Sequence, residues 1–168
     1  TGHRSTVILG DNPRKLGIIK SSLNIPIKWI HVVRNPYDNI ATWAKLNYEN
    51  KKRNNKPTNI IQELNNTINK YKKLNEIIVK LRRSEDVLTV NHEFVITRTH
   101  NTLEKMANFL EISFHPIWRD NVRNAIWKKP RITRRKVKWE NKQIRIIKDI
   151  IDQYPWLNGY EYNCGRCR

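Results

Sequence analysis

Cysteine and glycine are scarce in this sequence, and the shortage of cysteine excludes two kinds of structure. The 168 residues include 2 cysteines and 5 glycines. Cys164 and Cys167 form a single Cys-x-x-Cys in a basic tail, residues 164–168, which offers only half of a zinc site. A disulfide framework is excluded, which favours a reducing compartment such as the cytoplasm. We therefore expect an exposed tail and no metal site.

Long hydrophobic runs are missing as well. No stretch approaches the roughly 18 consecutive apolar residues that a membrane-spanning helix needs. Residues 1–20 lack the basic, apolar and small-residue segments of a cleavable signal peptide. We expect no membrane span in this chain. Because the chain begins at Thr1 and not at a methionine, we expect that a preceding segment was removed or that the chain is a fragment.

Acidic residues are few relative to basic ones. The sequence has 15 Asp and Glu against 33 Lys and Arg, which gives a net charge of +18 and a pI near 10.2. This balance predicts an anionic partner: nucleic acid, membrane headgroups, a phosphorylated nucleotide or an acidic glycan. Charge alone does not choose between them. The length fits a single domain, which we expect to span residues 1–163.

The apolar residues that are present fall in periodic blocks, which predict regular structure. Strands are predicted at residues 6–9, 28–33 and 87–90, and the second is apolar on both faces, as in a strand buried inside a parallel sheet. Helices are predicted from Pro36 to the polar stretch 50–56, from Pro57 to about residue 83, from about Thr102 with Asn101 as cap, and from Glu140 to Gln153. Residues 112–137 are predicted to be irregular. Strand–helix alternation predicts an α/β fold, a three-layer α/β/α domain with a short parallel sheet.

A candidate binding site follows the strand at residues 28–33. Ligands of open parallel sheets bind at the carboxyl ends of the strands, beside the positive end of the next helix. Arg34 stands at that position and offers a bidentate fork to a phosphate, while the hydroxyl of Thr42 lies two turns into the helix. Asp38 is expected to cap the helix start. The alternative is that Arg34 caps the strand and pairs with Asp38.

The stretch from Ile30 to Thr42 resembles the 3′-phosphate-binding motif of sulfotransferases. That motif is an apolar strand followed by Arg-(Asn/Asp)-Pro-x-Asp and by a hydroxyl residue, usually Ser, eight positions after the Arg. Further segments resemble the family in the same order: 9–13, 92–94, 108–111 and the basic loop 131–135. The resemblance implies a P-loop nucleotide-hydrolase-like sulfotransferase fold that is truncated at its amino terminus. The family's Gly-rich phosphosulfate loop, which supplies a catalytic Lys, has no counterpart here.

The resemblance also implies a donor and a set of roles. The donor would be 3′-phosphoadenosine-5′-phosphosulfate (PAPS). Its 3′-phosphate would be bound by Arg34, Thr42 and one or more of Arg131, Arg134 and Arg135. The chemistry requires no metal. Asp11 matches the acidic residue proposed as general base in some branches; the alternative is a carboxylate that caps the turn before Pro13. The acceptor would be a hydroxyl or an amine, with an acidic glycan among the candidates.

Two other functions stay open at this stage. In the run from Trp127 to Trp139, basic residues are bracketed by aromatic residues that could stack on bases, which favours nucleic-acid binding. No recognised nucleic-acid motif accompanies that run. The other alternative is a nucleotide-binding domain that lost catalysis together with its Gly-rich loop.

Overall fold

The computed structural model describes residues 13–23, 27–115, 117–125 and 128–163. Two strands lie in these ranges, β1 (Lys28–Val33) and β2 (Asp86–Asn91). The helices there are α1 (Pro13–Leu23), α2 (Pro36–Arg53), α3 (Ile60–Ser84), α4 (His92–Thr97), α5 (Thr99–Leu110), α6 (Ile117–Ala125) and α7 (Asn141–Gln153). Short 3₁₀ turns occur at Arg134–Lys136 and Pro155–Leu157. None of the helices in these ranges is long and apolar enough to cross a membrane.

The two strands form a parallel pair. The register runs from Lys28 opposite Asp86 to Val33 opposite Asn91. The crossover between the strands consists of α2 and α3, as a parallel connection requires. The short parallel sheet expected from the sequence is therefore confirmed, and the predicted strand at 6–9 lies outside the described residues.

Helices lie on both faces of this sheet. Side chains of successive strand residues point to opposite faces, so Lys28 and His31 belong to different faces. Lys28 Nζ donates to the Phe109 carbonyl oxygen at the end of α5 (2.8 Å), whereas His31 lines a groove with Leu74 of α3. The domain thus has the three α/β/α layers predicted from strand–helix alternation.

The main hydrophobic core lies on the α3 side of the sheet. It is formed where α2, α3, α7 and the carboxy-terminal segment meet, and its buried members are Val33, Tyr37, Ile40, Ala44, Leu64, Ile68, Tyr71, Ile147, Ile150, Ile151, Tyr154, Leu157 and Tyr160. The expectation that β1 is buried on both faces is wrong, because Val32 is 54% exposed. Within the described ranges β1 pairs only with β2.

Helix starts follow local capping chemistry, which corrects two predictions. Helix α3 begins at Ile60 and not at Pro57, because the side chain of Asn59 accepts the backbone N–H of Ile61 (2.8 Å). Helix α5 begins at Thr99, so Asn101 lies inside it and does not cap it. The reason is that α4 runs almost directly into α5.

The segment predicted to be irregular contains helix α6. Phe114 packs edge-to-face against His100 of α5 and against Trp118 of α6, which joins the two helices. Ile117 and Trp118 remain partly exposed, so the segment adds no stripe to the main core. By contrast, α7 has the predicted bounds to within one residue, with Glu140 as N-cap and Gln143 completing a capping box.

Candidate functional site

The turn from β1 into α2 is fixed by the buried side chain of Asn35. Its Oδ1 accepts the backbone N–H of Tyr37 (3.0 Å), which makes Asn35 the N-cap of α2. Its Nδ2 donates to the carbonyl oxygen of Glu161 (3.1 Å), and its own N–H donates to Glu93 Oε1 (3.0 Å). Bonds to three segments leave this turn little freedom.

Arg34 joins this turn to the basic loop, residues 131–135. Its Nη1 donates to Thr42 Oγ1 (3.2 Å), and its Nη2 donates to Thr133 Oγ1 (2.9 Å) and to the Arg131 carbonyl oxygen (2.7 Å). The Thr42 and Thr133 hydroxyl oxygens lie 3.0 Å apart, and Thr42 Oγ1 also contacts the Asp38 carbonyl oxygen at 2.7 Å. The structure thus brings together Arg34, Thr42 and the loop carrying the predicted arginines.

Asp38 holds the basic loop in place, which corrects the expectation that it caps α2. Its buried carboxylate accepts the backbone N–H of Thr133 (2.7 Å) and of Arg134 (2.8 Å) through Oδ1. Its Oδ2 pairs with the Arg134 guanidinium. Arg34 does not pair with Asp38, so that alternative is wrong too. A buried carboxylate needs such a full set of partners.

The three arginines of the basic loop have different surroundings. Arg134 is buried, and besides its pair with Asp38 its Nε donates to the Tyr162 carbonyl oxygen (2.6 Å). Arg131 and Arg135 have exposed side chains. Only these two of the three are placed for contact with a solute, whereas Arg134 is part of the loop's internal support.

The donor groups at the site suit an oxyanion. No carboxylate lies within ion-pairing distance of the Arg34 guanidinium in the part of the chain that the structure describes. Among the described residues, the partners of its half-buried charge are neutral oxygens, those of Thr42, Thr133 and the Arg131 carbonyl. A guanidinium flanked by two hydroxyls is a donor set that fits phosphate or sulfate.

Thr133 is a site residue that the sequence did not single out. It stands in the basic loop, which was noted for its arginines, and it is 99 positions from the Arg34 that it contacts. A hydroxyl between arginines was the signal available, but nothing local indicates which side of the loop faces Thr42. The role of Thr133 became apparent only from its contact with Arg34 in the folded structure.

His92 borders the site at the end of β2. Burial lowers its pKa, the adjacent Glu93 raises it, and the charge of Arg34 lowers it further. Its Nδ1 is buried without a hydrogen-bond partner among the described residues. The lowered pKa favours the neutral imidazole, and the Arg34 guanidinium places a positive charge at this edge of the sheet.

Two predicted features fall outside the described residues. Asp11, the candidate general base, is one, and the Cys164–Cys167 pair is the other. Within the described ranges no group of three or more His, Cys, Asp or Glu side chains is arranged to hold a metal ion.

Comparison with known proteins adds the family. A family model described as the sulfotransferase domain matches residues 14–158, which is most of the chain. The chain belongs to the sulfotransferase family. No curated protein and no solved structure gives a significant match. The resemblance drawn from residues 30–42 is thereby confirmed at the level of the family.

The matched range of this sulfotransferase includes the site described above. Arg34, Thr42 and the basic loop all lie within residues 14–158, and Asp11 lies just before them. The role of Asp11 as general base therefore stays a prediction.

Proposed function

We propose that this sulfotransferase binds the 3′-phosphate of PAPS with Arg34, Thr42 and Thr133, and transfers the sulfuryl group to a hydroxyl or amine acceptor. The observation that carries the proposal is the meeting of one guanidinium and two hydroxyls at the carboxyl end of β1, with no carboxylate partner for Arg34 in the described ranges. Family membership supports the reaction type.

Binding the phosphate would exchange neutral partners of Arg34 for a charged one. The Arg34 Nη atoms now donate to hydroxyl and carbonyl oxygens, and a phosphate oxygen is a stronger acceptor than either. Thr42 and Thr133 can rotate their hydroxyls from each other towards the phosphate. A hydrogen bond to a charged group contributes roughly 1.5–3 kcal/mol.

The basic loop would supply further positive charge. Asp38 accepts two backbone N–H groups of this loop, so the main chain of Thr133 and Arg134 is held in place before ligand arrives. Arg131 and Arg135, exposed on the same loop, are the arginines that we assign to the phosphate, with Arg134 as a positioning residue. Preorganised charge of this kind reduces the reorganisation that binding requires.

Sulfuryl transfer resembles phosphoryl transfer, an in-line displacement in which the protein positions two reactants and neutralises the leaving phosphate. The residues assigned here anchor the donor at its 3′-phosphate and so fix its orientation. Removal of the acceptor proton is assigned to Asp11, as predicted from the sequence.

Calorimetry of the full chain tests donor binding. Adenosine 3′,5′-bisphosphate should bind more tightly than adenosine 5′-monophosphate, since only the former carries the 3′-phosphate. Arg34→Ala should lower the affinity for the bisphosphate by about 10–100-fold and leave the affinity for the monophosphate unchanged. The control is Arg145→Ala, which removes the same charge from an exposed position of α7. Equal affinity for the two nucleotides, or equal effects of the two substitutions, would contradict the proposal.

The packing of Trp139 does not favour nucleic-acid binding. Trp139 is half-buried: its indole N–H donates to the Arg134 carbonyl oxygen (2.8 Å), and its ring packs edge-to-face on Tyr37. A ring committed to internal packing is a poor platform for a base. Trp127, at the other end of the run, lies outside the described residues.

A further inference from the structure

A basic pocket of about 530 Å³ lies along β2, and Arg34, Thr42 and Thr133 are not among its lining residues. Its walls come from β2, from helices α4 and α5, from the end of α3 and from the 3₁₀ turn Pro155–Leu157. Three of the lining residues are basic, Arg82, Arg98 and Lys105, and none is acidic. A cavity of this size is in the range that holds small organic ligands, roughly 300–1,000 Å³.

Arg82 is held in a defined position on the pocket wall. Its Nη1 donates to Thr89 Oγ1 (2.9 Å), and its guanidinium lies over the ring of Trp156, 5.5 Å from the ring centroid. Trp156 is itself fixed, because it stacks on Tyr154 and its indole N–H donates to Asn75 Oδ1 (2.8 Å). The Arg82 charge is therefore preorganised and does not have to be ordered by a ligand.

Arg98 and Lys105 complete the positive wall. The Arg98 guanidinium lies over the Phe94 ring, 4.5 Å from its centroid, at the junction of α4 and α5. Lys105 follows on α5, two turns further along. In the described ranges no carboxylate lies within ion-pairing distance of Arg82, Arg98 or Lys105, although five ion pairs occur elsewhere in those ranges.

The pocket also carries neutral groups able to form hydrogen bonds. Thr89, Asn91, Asn101 and Thr102 line it and present hydroxyl and amide groups. Behind Thr89, the His31 imidazole is neutral, because burial and the charge of Arg82 lower its pKa to about 4. Three cations beside uncharged donors and acceptors suit a ligand that has both an oxyanion and hydroxyl groups.

We propose that this pocket is a second ligand site that binds a sugar bearing a sulfate or phosphate group, with Arg82, Arg98 and Lys105 on the oxyanion and the neutral side chains on the sugar hydroxyls. The proposal does not rest on PAPS as donor. The lining of the pocket shares no residue with the Arg34 site. Asn91 and Phe94 line the pocket, whereas Glu93 between them accepts the Asn35 N–H.

Titration calorimetry of the full chain with glucose 6-sulfate, glucose 6-phosphate and inorganic sulfate tests this site. Either sugar should bind more tightly than inorganic sulfate, and the tighter of the two identifies the oxyanion. Arg82→Gln and Lys105→Gln should each lower the affinity for the sugar by about tenfold. The matched control is Arg83→Gln, next to Arg82 on α3 but outside the pocket lining, which should change affinity less than about twofold.

The two sites are distinguished by a cross-test. Arg34→Ala should leave sugar binding unchanged, and Arg82→Gln should leave binding of adenosine 3′,5′-bisphosphate unchanged. Lys105 is exposed, so Lys105→Gln tests the pocket even if Arg82→Gln disturbs packing on Trp156. The inference is overturned if neither sugar binds, if inorganic sulfate binds as tightly as both sugars, or if Arg83→Gln weakens binding as much as Arg82→Gln.

Discussion

Asp38 and Arg134, 96 positions apart in the chain, form a buried ion pair beneath the candidate phosphate site. Both side chains are almost fully buried, at 5% and 3% exposure. The pair links the first turns of α2 to the basic loop, and the same carboxylate accepts two backbone N–H groups of that loop. The position of Thr133 beside Arg34 depends on it.

The first prediction is that Asp38→Asn destabilises the fold strongly. The substitution leaves the buried Arg134 guanidinium without a charged partner, so we expect a loss of about 3–5 kcal/mol in the free energy of unfolding. Urea unfolding measures it. Asp149→Asn, on the exposed side of α7, is the control and should stay within about 0.5 kcal/mol of wild type. A loss below about 1 kcal/mol for Asp38→Asn would show that the pair is not buried as described.

The second prediction concerns Thr133. Thr133→Val keeps the side-chain shape and removes the hydroxyl, so affinity for adenosine 3′,5′-bisphosphate should fall by about 3–10-fold. Thr133→Ser should restore it, because the hydroxyl returns. Thr97→Val, a control at the end of α4, should have no effect on binding. If Thr133→Val binds the nucleotide like wild type, Thr133 does not contact the phosphate.

The third prediction compares two helix caps. Asn35 and Asn59 cap α2 and α3 in the same way, but Asn35 is buried and also donates to the Glu161 carbonyl oxygen. We expect Asn59→Ala to lower the free energy of unfolding by about 1 kcal/mol. Asn35→Ala should lower it by about 2–3 kcal/mol, since it removes the hydrogen bond to the Glu161 carbonyl oxygen as well as the cap. Thermal unfolding of both variants measures the two losses of stability, and equal losses would contradict the structure.

The fourth prediction is a pH dependence that originates at His31. Its pKa is about 4 in the folded chain and 6.5 in a model peptide, so the unfolded state binds the proton first. Its neutral form supports the fold fully above about pH 6.5, and this support is lost as pH falls towards 4. Between pH 7 and pH 5 it should account for up to about 2 kcal/mol.

The measurement for His31 is a difference between variants. His31→Phe should lose less stability than wild type between pH 7 and pH 5, while His100→Gln, an exposed histidine on α5, should follow the wild-type curve. Parallel curves of stability against pH for His31→Phe and wild type would show that His31 is not the origin of the pH dependence. The comparison leaves His92 unchanged in all three proteins, so its contribution cancels.

Part of this site could be predicted because its signals are local. The end of β1, the Asn35 cap and the spacing of Arg34 and Thr42 all lie within one strand–turn–helix unit, and helical geometry alone brings Thr42 towards Arg34. The role of Asp38 could not be predicted in this way. Its partners are backbone N–H groups 95 and 96 residues away, and no sequence pattern indicates which carboxylate a distant loop will find.

The errors in the predicted helices have a similar physical origin. Helices α4 and α5 meet at Arg98, and Thr102 donates to the carbonyl oxygens of both Phe94 and Arg98, so the boundary depends on contacts between two helices. Helix α6 packs through Phe114 and Trp118 onto α5 and leaves Ile117 exposed, so it has no core-facing stripe. Periodicity identifies helices that build the main core, as it did for α3 and α7.

The contacts of Asn35, Asp38 and Arg34 also set an order of assembly during translation. Arg34 and Thr42 leave the ribosome long before Thr133 and Arg134, and the carbonyl oxygens of Glu161 and Tyr162 that brace this corner emerge later still. A nascent chain stopped before residue 131 can form β1 and α2 but has no hydroxyl or backbone from the loop to place beside Arg34. The candidate phosphate site would be among the last features of the domain to form, so nucleotide affinity is expected to report whether synthesis has reached the carboxy-terminal segment.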